Sequence, residues 1–331
     1  MNFLIFGTGV IGSTIGWQLQ KNNNITHFVR SNKKDKFESE GIIIQCMDLR
    51  NKKNSVVDVV YRPNFVTSLN NIEDYDCCFV SVKSNQLISI LIEYQKDLTK
   101  IPLVLMQNIG LKDYLLLKDI FIENVTFAYP FITGGGRNNN LINCTIFDSP
   151  INEIVIGNFS GIKNKIEKIL IEEFRKCRLK TAYSQNIVAY IKLHYVWATC
   201  VLASYIDSGS YENFIKVGAI SKSYKAMVEC FKKFRKEGVN SRAIFPYNLY
   251  HLPAILLGAY TKLIYNTKAM ENMVVGHITS SPDEMEIMFN SLIEYCKDGI
   301  DEIDKMATFD SYIPSVKHYF DNYKNLTNGL S

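Results

Sequence analysis

The 331-residue sequence predicts an α/β protein in which a doubly wound parallel sheet is followed by an all-helical domain. In the first half, short apolar runs alternate with helical patterns, as is typical of parallel strands joined by helices. From about residue 184 onward the pattern changes to long helices without further strands. We therefore expect two domains, residues 1–183 and residues 184–331.

A glycine-rich turn follows the first predicted strand, residues 2–6, and leads into a helical pattern. In such a strand–turn–helix unit the glycines permit a tight turn, the approach of a pyrophosphate and close packing of the helix. The amides and the dipole at the start of the helix favour phosphate. The motif predicts a Rossmann-type dinucleotide site made of Gly7, Thr8, Gly9, Val10, Ile11 and Gly12.

Composition excludes several other classes of function. The 37 basic and 33 acidic residues give a net charge of +4, which does not favour nucleic-acid binding. Uncharged apolar runs are shorter than the ~20 residues of a membrane helix, and the mean hydropathy is −0.03. The 8 cysteines show no CxxC spacing, so we expect reduced core cysteines and no metal site. Because the first strand begins at Asn2, we expect no signal peptide and a cytoplasmic location.

The end of the second predicted strand, residues 25–29, indicates which nucleotide is bound. Arg30 follows this strand, 18 residues beyond Gly12, where an NAD enzyme carries an acid for the ribose 2′-hydroxyl. Ser31, Lys33 and Lys34 come next, so the local charge suits a 2′-phosphate and favours NADP. If these basic residues are only a solvated loop, the choice between NAD and NADP stays open.

Two further strand ends carry polar side chains. Lys83 follows the apolar run 77–82, and Asn108 follows the run 102–107. Ligands of open α/β sheets lie outside the carboxyl ends of the strands, so both side chains are candidates for contact with cofactor or substrate.

The remaining elements carry less chemistry. A hairpin is predicted at residues 41–49 and 56–61 around a polar turn at 51–54, with strands at 125–131 and 154–157 and a helix at 162–177. For Gly134, Gly135, Gly136 and Arg137 we favour a flexible exposed turn over an anion-binding nest. The predicted C-terminal helices are 187–206, 211–236, 249–265, 283–300 and 316–323.

The glycine turn, Arg30, Val82-Lys83 and Gln107-Asn108 together resemble the ketopantoate reductase (2-dehydropantoate 2-reductase) family. The resemblance covers the first domain and implies NADPH-dependent reduction of a small 2-oxo acid. It implies that the turn holds the pyrophosphate, that Arg30 meets the 2′-phosphate, and that Lys83 and Asn108 flank the nicotinamide. It also implies a helical second domain, with substrate held in the cleft between the domains.

The resemblance further implies that Lys192, early in the first helix of the second domain, is the proton donor. A lysine ammonium stabilises charge on the carbonyl oxygen and supplies the proton. From the helix pattern alone, Lys192 is instead a surface lysine whose stem covers apolar neighbours. His194 lies about 200° further around the helix and is expected in the core, whereas His277 is expected in a loop.

The sequence departs from the family pattern at several positions. The glycine of the usual QNG triplet is displaced by one, to Gly110. Val196 and Cys200 stand where members that reduce ketopantoate carry asparagines. The family's late serine and glutamate are not matched, although Ser280, Ser281, Glu284 and Glu286 cluster in that region.

Three hypotheses therefore stay open at this point. The first is a reductase of ketopantoate or a related 2-oxo acid. The second is an imine reductase resembling the opine dehydrogenases, and the third is a non-catalytic NADPH-binding module. The sequence also leaves open whether the chain forms a homodimer.

Overall fold

The computed structural model describes residues 1–50, 56–122, 124–149, 151–297 and 306–328. The chain divides into two compact units, Met1–Val188 and Ala189–Ser331. The first unit combines two β-sheets with helices, and the described part of the second contains helices without strands. The predicted fold class is confirmed.

A large, mainly parallel sheet forms the centre of the first unit. The strands of this unit are β1 (Asn2–Phe6), β2 (Asn24–Phe28), β3 (Ile42–Asp48), β4 (Val56–Tyr61), β5 (Asn64–Val66), β6 (Cys77–Val80), β7 (Leu103–Leu105), β8 (Val125–Pro130), β9 (Thr133–Asn138), β10 (Leu141–Ile146), β11 (Ile154–Gly157) and β12 (Thr181–Tyr183). Among the described residues, the large sheet has the order β12-β11-β8-β7-β6-β1-β2-β5, and its one antiparallel pairing is β8 with β11. β1 and β6 are almost wholly apolar and buried, as expected of strands covered on both faces.

Helices connect and cover these strands. They are α1 (Val10–Leu19), α2 (Ser31–Glu40), α3 (Ser84–Glu93), α4 (Gln95–Leu98), α5 (Tyr114–Phe121) and α6 (Lys165–Lys176). Helix α6 begins three residues later than predicted because Asn164 caps it: the Asn164 side chain accepts from the Glu167 amide, and the Glu167 carboxylate accepts from the Asn164 amide. The segment after Arg30, a loop in one of the two interpretations, is helix α2.

A second, four-stranded sheet of order β4-β3-β10-β9 packs against α1. The predicted hairpin is confirmed as the antiparallel pair β3 and β4, while its turn at 51–54 lies outside the described residues. The prediction of an exposed turn at Gly134–Arg137 is wrong, because these residues form β9, paired antiparallel with β10. Glycine is required there: Gly135 has φ +151°, and a Cβ would lie 2.0 Å from the Asn143 carbonyl oxygen.

The second unit is built from helices around α7. The helices are α7 (Ile187–Ser208), α8 (Tyr211–Phe214), α9 (Val217–Lys233), α10 (Ala254–Tyr265), α11 (Lys268–Ser280), α12 (Pro282–Lys297), α13 (Ala307–Asp310) and α14 (Ile313–Asn328). The predicted helix 211–236 is divided into α8, α9 and a 3₁₀ turn at Phe234–Glu237, and Pro253 separates residues 249–252 from α10. Helix α11 was not predicted from the sequence, and the end of the predicted helix 283–300 lies outside the described residues.

Helix α7 is the core helix of this unit. By length and composition alone it could cross a membrane, yet most of its apolar window is buried within the protein. Helix α7 is longer than the uncharged apolar runs of the sequence because a single polar position such as Lys192 does not end a helix. All eight cysteines are buried and free.

Candidate functional site

The candidate cofactor residues lie at one edge of the large sheet. In the parallel register, Phe6 pairs with Phe28 of β2 and with Val80 of β6, and Val80 pairs with Leu105 of β7. Gly7, Arg30, Lys83 and Asn108 follow these strand ends by one to three residues. The fold therefore brings these four predicted residues to the carboxyl edge of neighbouring strands, the usual position of ligands in such sheets.

Two glycines of the turn are required by packing. Gly7 has φ +109°, and a Cβ on it would lie 2.4 Å from the Ser81 carbonyl oxygen. A Cβ on Gly12 would lie 2.9 Å from the Gly7 carbonyl oxygen, so α1 approaches the turn closely only without a side chain there. These contacts explain the first and third glycines of the motif as packing requirements.

The middle glycine has a different reason. Gly9 is the N-cap of α1 with φ −72°, and no described atom lies within 4 Å of a Cβ built on it. No side chain caps this helix end, and its first turn contains no acidic residue, so the amides of Val10 and Ile11 keep their capacity to bind an anion. Open space in front of Gly9 fits the pyrophosphate of a dinucleotide, which a side chain at this position would displace.

A buried histidine donates a hydrogen bond to the glycine turn. His27 of β2 is fully buried, its Nδ1 lies 2.9 Å from the Gly7 carbonyl oxygen, and its Nε2 lies 3.0 Å from the Tyr61 hydroxyl. Burial lowers the pKa of His27 to about 4, so the ring is neutral near pH 7. Since a carbonyl only accepts, Nδ1 carries the proton and the Tyr61 hydroxyl donates to Nε2. No sequence pattern indicates this pair of hydrogen bonds, because Tyr61 belongs to the second sheet.

An arginine of the second sheet also reaches the turn. Arg137 of β9 donates from Nη1 to the carbonyl oxygen of Thr8 and to the Thr8 hydroxyl, the latter over 3.2 Å. Its Nε donates to the Asn139 carbonyl oxygen at 2.7 Å. The glycine–arginine run was visible in the sequence, but its position beside the turn depends on the pairing of β9 with β10.

The Arg30 position differs from that of the turn. Arg30 is exposed and is the N-cap of α2, with φ −64° and ψ 143°. Beside the same strand ends, Phe6, Phe28 and Tyr94 form an aromatic group whose ring centroids are 4.2 to 5.4 Å apart. Burial and then the Glu93 carboxylate raise the pKa of Tyr94, and the positive charge of Arg30 acts against them. An exposed guanidinium thus stands beside an aromatic surface.

Lys83 and Asn108 are both less exposed than Arg30. Lys83 is the N-cap of α3 and is partly buried. Asn108 is 9% exposed and its Oδ1 accepts a hydrogen bond from the Tyr129 hydroxyl at 3.1 Å. A Cβ on Gly110, the displaced glycine of the triplet, would lie 2.3 Å from an Asp113 carboxylate oxygen, so a side chain there would require the Asp113 side chain to move.

Lys192 is part of a three-residue cluster in the second unit. Lys192 lies in α7, is 9% exposed, and its Nζ donates to the Glu237 carboxylate. The other carboxylate oxygen of Glu237 accepts from the hydroxyl of Tyr295 in α12. The Tyr295 ring stacks on Phe234 with centroids 4.5 Å apart. Burial and then the Glu237 charge raise the pKa of Tyr295, so the hydroxyl stays protonated and donates.

Glu237 and Tyr295 were not predicted from the sequence. Their positions, 45 and about 100 residues beyond Lys192, carry no pattern that ties them to it. The interpretation of Lys192 as a surface lysine does not agree with its low exposure and its charged partner.

The residues that follow Lys192 on α7 are core residues. Val196 and Cys200 are fully buried, and the Cys200 thiol lies within hydrogen-bonding reach of the Cys230 thiol. Both positions are therefore apolar or weakly polar, where the family's ketopantoate-reducing members carry side-chain amides.

The two histidine predictions have different outcomes. His194 is buried, with Nδ1 3.2 Å from the Tyr247 hydroxyl, and burial lowers its pKa to about 3. It is a core histidine, as expected. His277 lies in helix α11, so its assignment to a loop is wrong.

The serine and glutamate cluster is dispersed over two helices. Ser280 ends α11 and Ser281 follows it. Glu284 is buried in α12, and Glu286 accepts from Lys324 at 2.7 Å. Within the described ranges, no three His, Cys, Asp or Glu side chains form a group that could hold a metal ion.

Comparison with known families decides how the glycine turn is classified. Residues 3–160 match the family model described as ketopantoate reductase PanE/ApbA. The N-terminal unit is therefore similar to the ketopantoate reductase family over most of its length. The matched range contains the nine residues predicted to bind the cofactor, from Gly7 to Asn108, whereas Lys192 lies beyond it.

Solved structures extend the likeness in fold over the whole chain. The 2-dehydropantoate 2-reductase of Methylococcus capsulatus has a TM-score of 0.67 at 18% identity, covering 97% of both chains. D-mandelate dehydrogenase in complex with NADH has a TM-score of 0.67 at 14% identity, covering 97% of this chain and 99% of that one. A dimeric ketopantoate reductase of Staphylococcus aureus has a TM-score of 0.54 at 13% identity, covering 96% and 99%. Among curated proteins none matches this sequence.

Proposed function

We propose that the protein is an NADPH-dependent reductase of a small 2-oxo acid. The observation that carries the proposal is the glycine turn of a domain similar to ketopantoate reductase, whose open space at Gly9 faces uncapped helix amides. A solved structure with the same fold, D-mandelate dehydrogenase, holds NADH, which supports a nicotinamide nucleotide as the ligand class.

The first domain carries the residues that would bind the nucleotide. The amides of Val10 and Ile11 bind the pyrophosphate, with Gly9 leaving space for it. Arg30 binds the 2′-phosphate from its exposed position at the start of α2, which favours NADPH over NADH. Lys83 and Asn108, at the ends of β6 and β7, contact the nicotinamide end. The bound nucleotide supplies the hydride.

Lys192 supplies the proton. A carbonyl that receives a hydride develops negative charge on its oxygen, and Lys192 stabilises that charge and protonates the oxygen to give the hydroxyl. Glu237 holds the Lys192 ammonium, and Tyr295 fixes the second oxygen of the Glu237 carboxylate. Glu237 and Tyr295 are therefore positioning residues for the donor.

The substrate class follows from the family and from the α7 side chains. A 2-oxo acid is the substrate class of the family, and 2-dehydropantoate is the first compound to test. Its reduction would assign the protein to pantothenate biosynthesis. Because the fully buried Val196 and Cys200 offer no side-chain amides to a substrate, we expect 2-dehydropantoate to have no advantage over related 2-oxo acids. The eight buried free cysteines support a reducing, cytoplasmic compartment.

The test is NADPH oxidation with a panel of 2-oxo acids that includes 2-dehydropantoate, branched-chain 2-oxo acids and phenylglyoxylate. We expect turnover with at least one of them, faster with NADPH than with NADH. Arg30→Ala should raise the KM for NADPH by about tenfold while leaving that for NADH nearly unchanged. Oxidation that requires an added amine would indicate an imine reductase instead, and tight NADPH binding without any turnover would indicate a non-catalytic module.

We infer in addition that the protein forms a homodimer through helix α10. Ile255, Leu256, Tyr260 and Leu263 are between 63% and 74% exposed, which makes a contiguous apolar surface on one helix. A dimeric ketopantoate reductase is among the proteins of this fold. Sedimentation should give the dimer mass, and Leu263→Glu should give the monomer. The matched control, Leu115→Glu in α5, alters a leucine that is also 74% exposed and should leave the dimer intact.

A further inference from the structure

Arg137 is a cation without a compensating carboxylate at the edge of the glycine turn. Its guanidinium contacts Thr8, two residues before the first helical residue Val10, and lies 5.7 Å from the centroid of the Phe37 ring of α2. Each hydrogen bond that it donates ends on a neutral oxygen, two on Thr8 and one on Asn139. Among the residues that the structure describes, none forms an ion pair with it.

A second arginine of the same domain, Arg50, is buried together with a carboxylate partner. Arg50 donates from Nε and Nη2 to the two carboxylate oxygens of Asp48, at 2.8 and 2.7 Å, and also to the Gln18 side chain and the Cys177 carbonyl oxygen. Both members of the Arg50–Asp48 pair are less than a tenth exposed. A buried cation normally needs such an anion. Arg137 is also partly buried, and desolvation lowers its pKa with no acidic group to oppose it.

The position of Arg137 is fixed by the backbone of the second sheet. Strand β9 lies against α1 and pairs with β10, and Gly135 has a φ that favours glycine and a close approach to the β10 backbone that excludes a side chain. Phe37 covers one face of the guanidinium, and Thr8 orients its Nη1 edge. The side chain is thereby held ready beside the turn, so little conformational entropy is lost when a ligand binds.

We propose that Arg137 binds a phosphate group of the dinucleotide and that this phosphate is the missing counter-ion. The inference rests on the proposed function, since it assigns a further residue to the same cofactor site. Two phosphates fit its chemistry: the pyrophosphate, which NADH and NADPH share, and the 2′-phosphate, which only NADPH carries. An arginine fork is well suited to either group.

The test is the dissociation constant of NADPH and of NADH for the full-length protein, measured for the wild type, Arg137→Gln and Arg137→Lys. Gln retains a donor for Thr8 but carries no charge, and we expect it to weaken NADPH binding by about tenfold or more. Lys retains the charge and should lose less. An equal loss for both nucleotides would assign the pyrophosphate, and a loss confined to NADPH would assign the 2′-phosphate.

Salt dependence separates a charge contact from a structural role. If Arg137 neutralises a phosphate, NADPH affinity should depend less on salt concentration in Arg137→Gln than in the wild type. Arg175→Gln is the control, because it removes an exposed charge of the same domain that is paired with Glu172. It should change neither affinity nor salt dependence.

Two results would overturn the inference: unchanged NADPH affinity in a folded Arg137→Gln, or equal losses in the Gln and Lys variants with wild-type salt dependence. Thermal unfolding of each variant verifies that it is folded. If the wild type itself binds neither nucleotide, the proposed function fails as a whole. If the wild type binds NADPH and Arg137→Gln binds it equally well, only the role of Arg137 fails.

Discussion

The two candidate parts of the site are constructed in different ways. In the first unit, the proposed anion site consists of backbone amides at Gly9, Val10 and Ile11, and Gly7 and Gly12 beside them are required by steric contacts. In the second unit, Lys192 depends on two side chains from distant parts of the chain, Glu237 and Tyr295. One site is contiguous in sequence, and the other exists only after the helices have packed.

This difference has consequences for what each part can do. Backbone amides carry no titratable group, so the phosphate binding proposed for the glycine turn should persist over a wide pH range, with no part in proton transfer. In the proposed reaction, the Lys192 cluster supplies the proton and stabilises the developing charge. Binding and chemistry should therefore separate when each part is altered in turn.

The largest expected effect is on turnover when the Lys192 cluster is altered. Lys192→Ala removes the proposed proton donor and should lower kcat by about 10²- to 10⁴-fold, the usual contribution of general acid catalysis. NADPH affinity should stay within about twofold of the wild type, because the amides of the glycine turn are unchanged. Steady-state kinetics with the best 2-oxo acid and direct titration of NADPH measure the two quantities.

The control for this change is Lys225→Ala, which removes an exposed lysine of the same unit. It should alter neither turnover nor affinity. Parallel losses of turnover and NADPH affinity in Lys192→Ala would contradict the separation of the two parts. Glu237→Gln should lower kcat by less than Lys192→Ala, since it removes the partner of the donor but not the donor.

The next effect concerns the buried histidine of each unit. His27 has a pKa of about 4 and His194 one of about 3, against about 6.5 in the unfolded chain. Between these values the unfolded chain binds more protons, so stability rises with pH and is lost as pH falls below 6.5. Each histidine should lower the free energy of unfolding by about 3 kcal/mol between pH 7 and pH 4.

Urea unfolding at several pH values measures this loss. In His27→Asn, the amide nitrogen of Asn replaces Nδ1 as donor to the Gly7 carbonyl oxygen, and the variant should lose the part of the pH dependence that His27 causes. His318→Asn, at an exposed histidine of α14, is the control and should leave the profile unchanged. A wild-type profile that is flat between pH 7 and pH 4 would contradict the role of both buried histidines.

The glycine turn could be predicted from the sequence and the Lys192 cluster could not, because only the turn is contiguous in sequence. Strand, turn and helix at the N-terminus are local, since apolar periodicity and glycine spacing specify them within twenty residues. The parallel register then brings Arg30, Lys83 and Asn108 to one edge without further information. The sheet and its carboxyl edge could therefore be predicted from short segments of sequence.

Contacts between distant segments could not be predicted. Gly134–Gly136 was interpreted as a turn because glycine is a turn former, whereas tertiary pairing with β10 and contact with α1 make it a strand. His27, Arg137 and Glu237 have partners 34, 129 and 45 residues away in the sequence, so no local pattern identifies them. The role predicted for Lys192 came from a family resemblance and not from the pattern of its helix.

The smallest expected effect tests whether the glycine turn separates folding from binding. Gly9 has φ −72°, and a Cβ added to it would meet no described atom within 4 Å, so Gly9→Ala should leave the free energy of unfolding within about 0.5 kcal/mol of the wild type. The added methyl group enters the space proposed for the pyrophosphate. NADPH affinity should therefore fall by about tenfold, as measured by titration.

Gly7→Ala and Gly218→Ala complete this comparison. At Gly7, with φ +109° and the Ser81 carbonyl oxygen 2.4 Å from a Cβ, alanine should destabilise the fold by about 1–3 kcal/mol. At Gly218 in α9, where a Cβ also meets no described atom within 4 Å, alanine should leave NADPH affinity unchanged. Normal NADPH affinity in a stable Gly9→Ala would mean that the phosphate does not lie against this turn. The amides of Val10 and Ile11 would then have no part in binding, while the packing role of Gly7 would remain.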